Sequence, residues 1–280
     1  MTSTVGVAST VGVASTGART PPVASTRVTL RRSLSHATTM ALRGLLEIKH
    51  NPQELFDVIA LPVVFAVMFS SIFGGAIAGS VGDYLPTLIP GVLVQVAVAA
   101  SVRTGVKLRE DMNKGVFDRF RSLPIARIAP LAGSLLADMV RYAVATTMTV
   151  LVGLVLGYRP ESVVGVAAAC LLVIVVAFAL SWIFALMGVL MDKPSTVQGI
   201  SMLVLMPLTF VSNALVPVAT MPGWMQAFAR VNPVSHLVSA VREMANDGHF
   251  GAQIATALLG ALIVIAVMAP LTVRVYMRRA

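Results

Sequence analysis

Apolar positions in this chain come in long unbroken runs rather than in the alternating or every-third-residue stripes of a soluble fold. No Asp, Glu, Lys or Arg occurs between Glu161 and Asp192, and further charge-free windows cover residues 58–79, 84–102, 142–158, 194–229 and 249–273. A bilayer's hydrocarbon core is roughly 30 Å thick, and a helix rising about 1.5 Å per residue needs about 20 apolar residues to cross it. The pattern predicts an all-α integral membrane protein with six spanning helices, at about 55–79, 84–105, 132–158, 163–191, 195–213 and 250–273. Pro207, Pro217 and Pro222 punctuate the long fifth window, so its helix should end near Val211, with something shorter after it.

Composition strengthens the membrane assignment: 57% of the chain is apolar and 12% charged, against about 25% charged for a soluble domain. Short loops rich in Lys and Arg stay on the cytoplasmic side. Arg19, Arg27, Arg31, Arg32, Arg43 and Lys49 precede the first span, and Lys193 joins spans four and five. Spans two and three enclose Arg103, Lys107, Arg109, Lys114, Arg119, Arg121 and Arg127, and Arg274, Arg278 and Arg279 follow the sixth. Arg159, Arg230 and Arg242 fall outside, with Arg141 at a boundary. Both termini are therefore expected in the cytoplasm of a multi-pass plasma-membrane protein. The net charge of +9 does not imply a nucleic-acid partner, because anionic lipid headgroups attract juxtamembrane cations by about 1 kcal/mol each.

Outside the spans the chain changes character. Residues 1–32 form a low-complexity cytoplasmic tail in which Ser-Thr-Val-Gly-Val-Ala occurs at Ser3 and again at Ser9. Its small residues bury too little surface to offset ordering entropy, so it is expected to be disordered, and it lacks the layout of a secretory signal. Residues 33–280 are expected to make one transmembrane domain. Leu34, Ala37, Ala41, Leu45 and Ile48 share one face of an interfacial helix, after which Asn51, Pro52 and Glu54 read as N-cap, N1 proline and N3 carboxylate. Leu108, Met112, Val116 and Phe120 recur every four residues, which predicts an amphipathic helix beneath the membrane. That helix either packs on the protein's own surface or docks a partner. Met221-Pro222-Gly223-Trp224 and Asn232-Pro233 each begin a short helix, either as two re-entrant half-helices in the outer leaflet or as an ordinary external hairpin.

The chemistry present is sparse. No Gly-x-x-x-x-Gly-Lys-Ser/Thr loop occurs, so any ATP must be handled by another polypeptide. His36, His50, His236 and His249 lack zinc-ligand spacing, paired aspartates suited to Mg²⁺ and diphosphate are absent, and Cys170 reads as a small buried hydrophobe. No catalytic, cofactor-binding or metal residue is assigned. Asp138 and Arg141, three apart, can pair on one helix face, as a structural ion pair at the cytoplasmic interface with Arg141 snorkelling, or as a proton or substrate relay. Gly75 with Gly79 and Gly153 with Gly157 have the small-xxx-small spacing of close helix crossings. Met187, Met191, Met202 and Met206 could fill helix interfaces or line an adaptable pathway.

Gly115-Val116-Phe117-Asp118-Arg119-Phe120-Arg121-Ser122-Leu123-Pro124-Ile125 resembles the ABC-2 type permeases, specifically the daunorubicin-resistance permeases that export antibiotics. Ile48-Lys49-His50 with Pro52, Phe73-Gly74-Gly75, Gly82-Asp83-Tyr84, Met221-Pro222-Gly223-Trp224 and Asn232-Pro233 carry the resemblance from about residue 40 to the C-terminus. It implies a six-helix type V exporter permease with a membrane elbow before Asn51, paired with a second, identical or different, permease. Two copies of a cytoplasmic P-loop ATPase would carry the ATP and Mg²⁺. Gly115, Phe117, Asp118, Arg119, Phe120, Arg121, Leu123 and Pro124 would form the coupling helix on the ATPase. Met221, Pro222, Trp224, Asn232 and Pro233 would form the outer gate. The implied cargo is an amphipathic small-molecule drug, anthracycline-like. A lipid or polysaccharide exporter, a proton-driven secondary transporter using Asp138, and a non-transporting scaffold or immunity protein are the alternatives.

Overall fold

A computed structural model describes residues 52–114 and 129–279, with side chains from 59–114 and 131–279. The tail expected to be disordered, the helix expected at the interface and the whole segment expected to couple, Gly115 to Pro124, lie outside the described residues. Among the described residues the structure is helical without strands: α1 (Pro52–Ala78), α2 (Val81–Asn113), α3 (Ala129–Leu156), α4 (Val163–Leu190), α5 (Pro194–Phe210), α6 (Gly223–Val231), α7 (Pro233–Asp247) and α8 (Ala252–Arg279). Five of these, α1 to α4 and α8, are long and apolar enough to cross a membrane. The 17 residues of α5 reach only the lower end of the spanning range, so five of the six expected spans are matched by helices of spanning length, and the one expected at 195–213 by a shorter helix.

Local chemistry sets the boundaries. Ser80 and Ser162 cap α2 and α4, each hydroxyl accepting the amide three residues on, from Asp83 and Gly165. Pro194 opens α5, and Pro233 opens α7 behind the cap Asn232. Gly248, at φ 61°, closes α7 in the left-handed conformation that glycine adopts without cost.

Helix α2 is the axis of the bundle. Its best apolar window is 78% buried, against 6% for α8, and it packs against α1, α3, α4, α5 and α7. At 33 residues it is about 50 Å long, well beyond a hydrocarbon core. It runs past the expected end at residue 105 to Asn113, so Leu108 and Met112 are the last turns of a span rather than the start of a separate amphipathic helix. Charge ended the apolar window at Arg103, but nothing there breaks a helix. Leu108 packs with Leu131, Leu135, Ala185, Val189 and Tyr276, closing the end of the bundle where α2, α4 and α8 finish.

The glycine pairs require correction. Gly79 (φ 79°) and Gly157 (φ 105°) follow the ends of α1 and α3 in left-handed geometry, and a Cβ on Gly75 would meet nothing within 4 Å. Only Gly153 packs tightly, against Ile89. The close crossing lies elsewhere: a Cβ at Gly105 would overlap the Phe184 carbonyl, and one at Gly188 the Gly105 carbonyl, so α2 and α4 meet backbone to backbone.

Candidate functional site

The two ends of α2 hold the polar chemistry. One is the basic end, where Arg103, Lys107, Arg109 and Lys114 gather with the C-terminus of α8. Arg109 Nε donates to the Asp192 carbonyl at 3.0 Å, and Arg279 Nη1 donates to the carbonyls of Val189 and Leu190 at 3.1 and 3.0 Å. Those two carbonyls belong to the last turn of α4, which has no intrahelical donors for them. Helix α8 therefore extends six residues beyond its expected end so that Arg279 can serve as a cap in trans.

One turn further in, Asp138 and Arg141 of α3 form a salt bridge of 2.8 Å. Thr104 of α2 donates to the other carboxylate oxygen at 2.6 Å and lies 3.3 Å from the Tyr142 hydroxyl. Both charged side chains are enclosed by protein, 3% and 4% exposed, so Arg141 does not snorkel from a rim as the spacing alone suggested. An ion pair out of water holds only when its remaining hydrogen-bonding positions are also filled, and Thr104 fills one of them. Sequence reasoning missed Thr104, which sits between Arg103 and Lys107, and Tyr142, which follows Arg141 directly.

At the opposite end, α7 closes over the bundle and α6 packs on α7. Asn232, 3% exposed, is the joint. Its Nδ2 donates to the carbonyls of Leu208 and Val211 at 2.7 and 3.0 Å, and its Oδ1 accepts the Val234 amide at 2.9 Å. One amide thus satisfies the C-terminus of α5 and the N-terminus of α7 together.

Helix α7 is then pinned to α2. Pro90 has no N–H to donate to the Pro86 carbonyl four residues back, and Asn246 Nδ2 takes up that carbonyl at 2.9 Å. Arg242 Nη2 donates to the carbonyls of Thr87 and Asn213, each at 3.0 Å. The Tyr84 hydroxyl donates to the Leu215 carbonyl at 2.5 Å, and the Tyr158 hydroxyl to Asn246 Oδ1 at 2.6 Å. Burial pushes the Tyr158 phenol up to about 12, against the opposing pull of Arg242, so it stays a donor at any physiological pH. Arg242, assigned from sequence to an outer loop, turns inward instead. Pro90 was the sequence clue to the free Pro86 carbonyl that Asn246 meets.

Of the gate residues assigned from sequence, Asn232 and Met221 are buried, whereas Pro222, Trp224 and Pro233 are exposed. Met221 gives its carbonyl to Gln226 Nε2 at 2.8 Å, steadying the first turn of α6. Trp224, Phe228 and Val231 share the outer face of α6 at 70%, 42% and 79% exposure. Among the described residues no group of His, Cys, Asp and Glu could hold a metal ion.

Known proteins match this sequence. The family model described as ABC-2 type transporter matches residues 36–245. The daunorubicin resistance ABC transporter permease protein DrrB1 of Streptomyces coeruleorubidus is 42% identical over 259 residues, 92% of each chain. The probable doxorubicin resistance permease DrrC of Mycobacterium tuberculosis is 28% identical over 155 residues, 53% of this chain and 54% of that protein. The doxorubicin resistance permease DrrB of the same organism is 27% identical over 148 residues, 52% and 51% of the two chains. On its helical membrane architecture and this match across most of its length, the chain belongs to the ABC-2 type transporter family, as a membrane subunit rather than an ATPase.

Proposed function

We propose that this chain is the permease subunit of an ATP-binding cassette exporter that moves an antibiotic or similar amphipathic drug, anthracycline-like, out of a bacterial cell and so confers resistance. The 42% identity to the daunorubicin permease over 92% of both chains carries this reading. Two copies of a separate P-loop ATPase would supply the work, binding ATP and Mg²⁺, and a second permease would complete the pathway. The concentration of Lys and Arg at one end of α2 supports cytoplasmic termini.

Helix α2 gives the proposal a mechanical basis. The coupling segment, Gly115, Phe117, Asp118, Arg119, Phe120, Arg121, Leu123 and Pro124, follows directly on its last residues. Its first two turns carry the Tyr84, Pro86 and Thr87 contacts to α7 and the segment before it. ATPase closure would displace one end of a rigid rod about 50 Å long, and the other end would carry the displacement to α6 and α7. In this scheme these dip into the outer leaflet as half-helices and form the outer gate with Met221, Pro222, Trp224, Asn232 and Pro233. Only the differential affinity of the coupling surface for the two ATPase states can do this work.

Doxorubicin fluorescence in inside-out vesicles holding the chain and its ATPase tests the reading. Uptake should require ATP and persist with a protonophore. Uptake that continues without the ATPase and stops with the protonophore would replace the proposal with proton-driven transport.

A further inference from the structure

A groove of about 310 Å³ runs along the basic end of α2, walled on its far side by Gln198 and Met202 of α5 and floored by Arg141 of α3. Its α2 wall is one continuous stripe at spacings of three and four residues. That stripe is graded. Ala99, Val102 and Val106 with Met202 make its apolar part, and Arg103, Lys107 and Lys114 with Glu110 and Asp111 its charged part. Among the described residues, four cations line it beside two carboxylates. Adding Asp138, which Arg141 engages, still leaves a positive surplus.

We infer that this groove is a binding site for an anionic phospholipid of the leaflet at the basic end of the protein, with the phosphate held by Arg103 and Lys107. Three observations converge. Basic pockets between helices at the cytoplasmic face suit lipid phosphates, and guanidinium is the side chain best matched to them. The volume holds a headgroup and the first methylenes but not whole acyl chains. Those have an exposed apolar track beside the groove, on α5, where Met202, Leu203 and Met206 are 39%, 75% and 55% exposed. A cationic amphiphile would meet the positive surplus unfavourably, so the site is not one for a bare cationic drug. A bound phosphate would lie against α2 and α5 and over the α3 pair, where it would brace the end of α2 that leads into residues 115–124.

The full chain in mixed phosphatidylcholine and phosphatidylglycerol nanodiscs, released gently and weighed by native mass spectrometry, tests the site. The parent should retain phosphatidylglycerol selectively. Arg103→Gln with Lys107→Gln should lose retention by about fivefold for each charge removed. Arg103→Lys with Lys107→Arg should keep it, as should Arg274→Gln with Arg278→Gln, which removes two charges from the same end outside the groove. Unchanged retention in the first pair, or an equal loss in the Arg274 and Arg278 control, overturns the site. A phosphate on an exported amphiphile shares this chemistry, and turnover separates the sources. Phosphatidylglycerol should stay bound while the assembled transporter hydrolyses ATP, and its depletion during turnover would overturn the resident lipid in favour of cargo.

Discussion

Replacing Asp138 with Ala removes one half of an ion pair that is 3% and 4% exposed and leaves the Arg141 guanidinium enclosed without its carboxylate. Breaking a buried pair from one side costs about 3–5 kcal/mol, because the remaining charge keeps its desolvation penalty and loses its compensation. Thr104 also loses the acceptor it holds at 2.6 Å. An SDS titration in mixed micelles, followed by circular dichroism, should place Asp138→Ala lower in stability by that amount, two to nearly four powers of ten in the unfolding equilibrium. Asp138→Leu combined with Arg141→Met removes both charges, and such replacements are commonly neutral or stabilising. The double variant should therefore recover most of the loss. If Asp138→Ala unfolds with the parent, or if the double variant is no better than the single, Arg141 does not depend on Asp138 for its compensation.

Three further outcomes follow from particular contacts. Gly105→Leu must displace the Phe184 carbonyl and should cost at least the 1–3 kcal/mol of core overpacking, whereas Gly199→Ala, which meets nothing within 4 Å, should be neutral or slightly stabilising in the same titration. Asn246→Ala orphans the Pro86 carbonyl and the Tyr158 hydroxyl together, at about 1–3 kcal/mol per unsatisfied buried group, and hydrogen exchange should quicken in α7 while α4 keeps its protection. Tyr158 has its phenol raised from 10.0 to about 12. Its contribution should be complete below pH 10 and lost as pH rises through 12, and Tyr158→Phe should abolish that alkaline dependence.

Much of the fold was legible because hydrocarbon length and helix rise are fixed quantities. The charge-free runs locate every long helix, and the Pro-Gly and Asn-Pro dipeptides locate α6 and α7. Charge, however, marks where water begins and not where a helix ends, so α2 and α8 both run beyond their apolar windows to place Arg109 and Arg279 on the carbonyls at and beyond the end of α4. The true glycine crossing joins Gly105 to Gly188 across two helices, and no local spacing announces it, whereas Gly79 and Gly157 had the motif spacing but serve to end helices. For the polar sites the pairing of Asp138 with Arg141 is a property of one helix face and could be read directly. Thr104 is 34 residues away from Asp138, and Arg242 is 155 from Thr87. Such contacts exist only after the bundle has assembled.

In the proposed mechanism this membrane subunit docks a separate ATPase through residues 115–124, which follow α2 in the sequence. Purifying the tagged chain from its native membranes in mild detergent, with Arg121→Asp alongside, and identifying the co-purifying proteins by mass spectrometry tests that docking. A P-loop ATPase should accompany the parent chain and be lost from Arg121→Asp at equal permease levels. If no ATPase accompanies the parent even after crosslinking in intact membranes, or if Arg121→Asp retains it in full, the coupling assignment is contradicted.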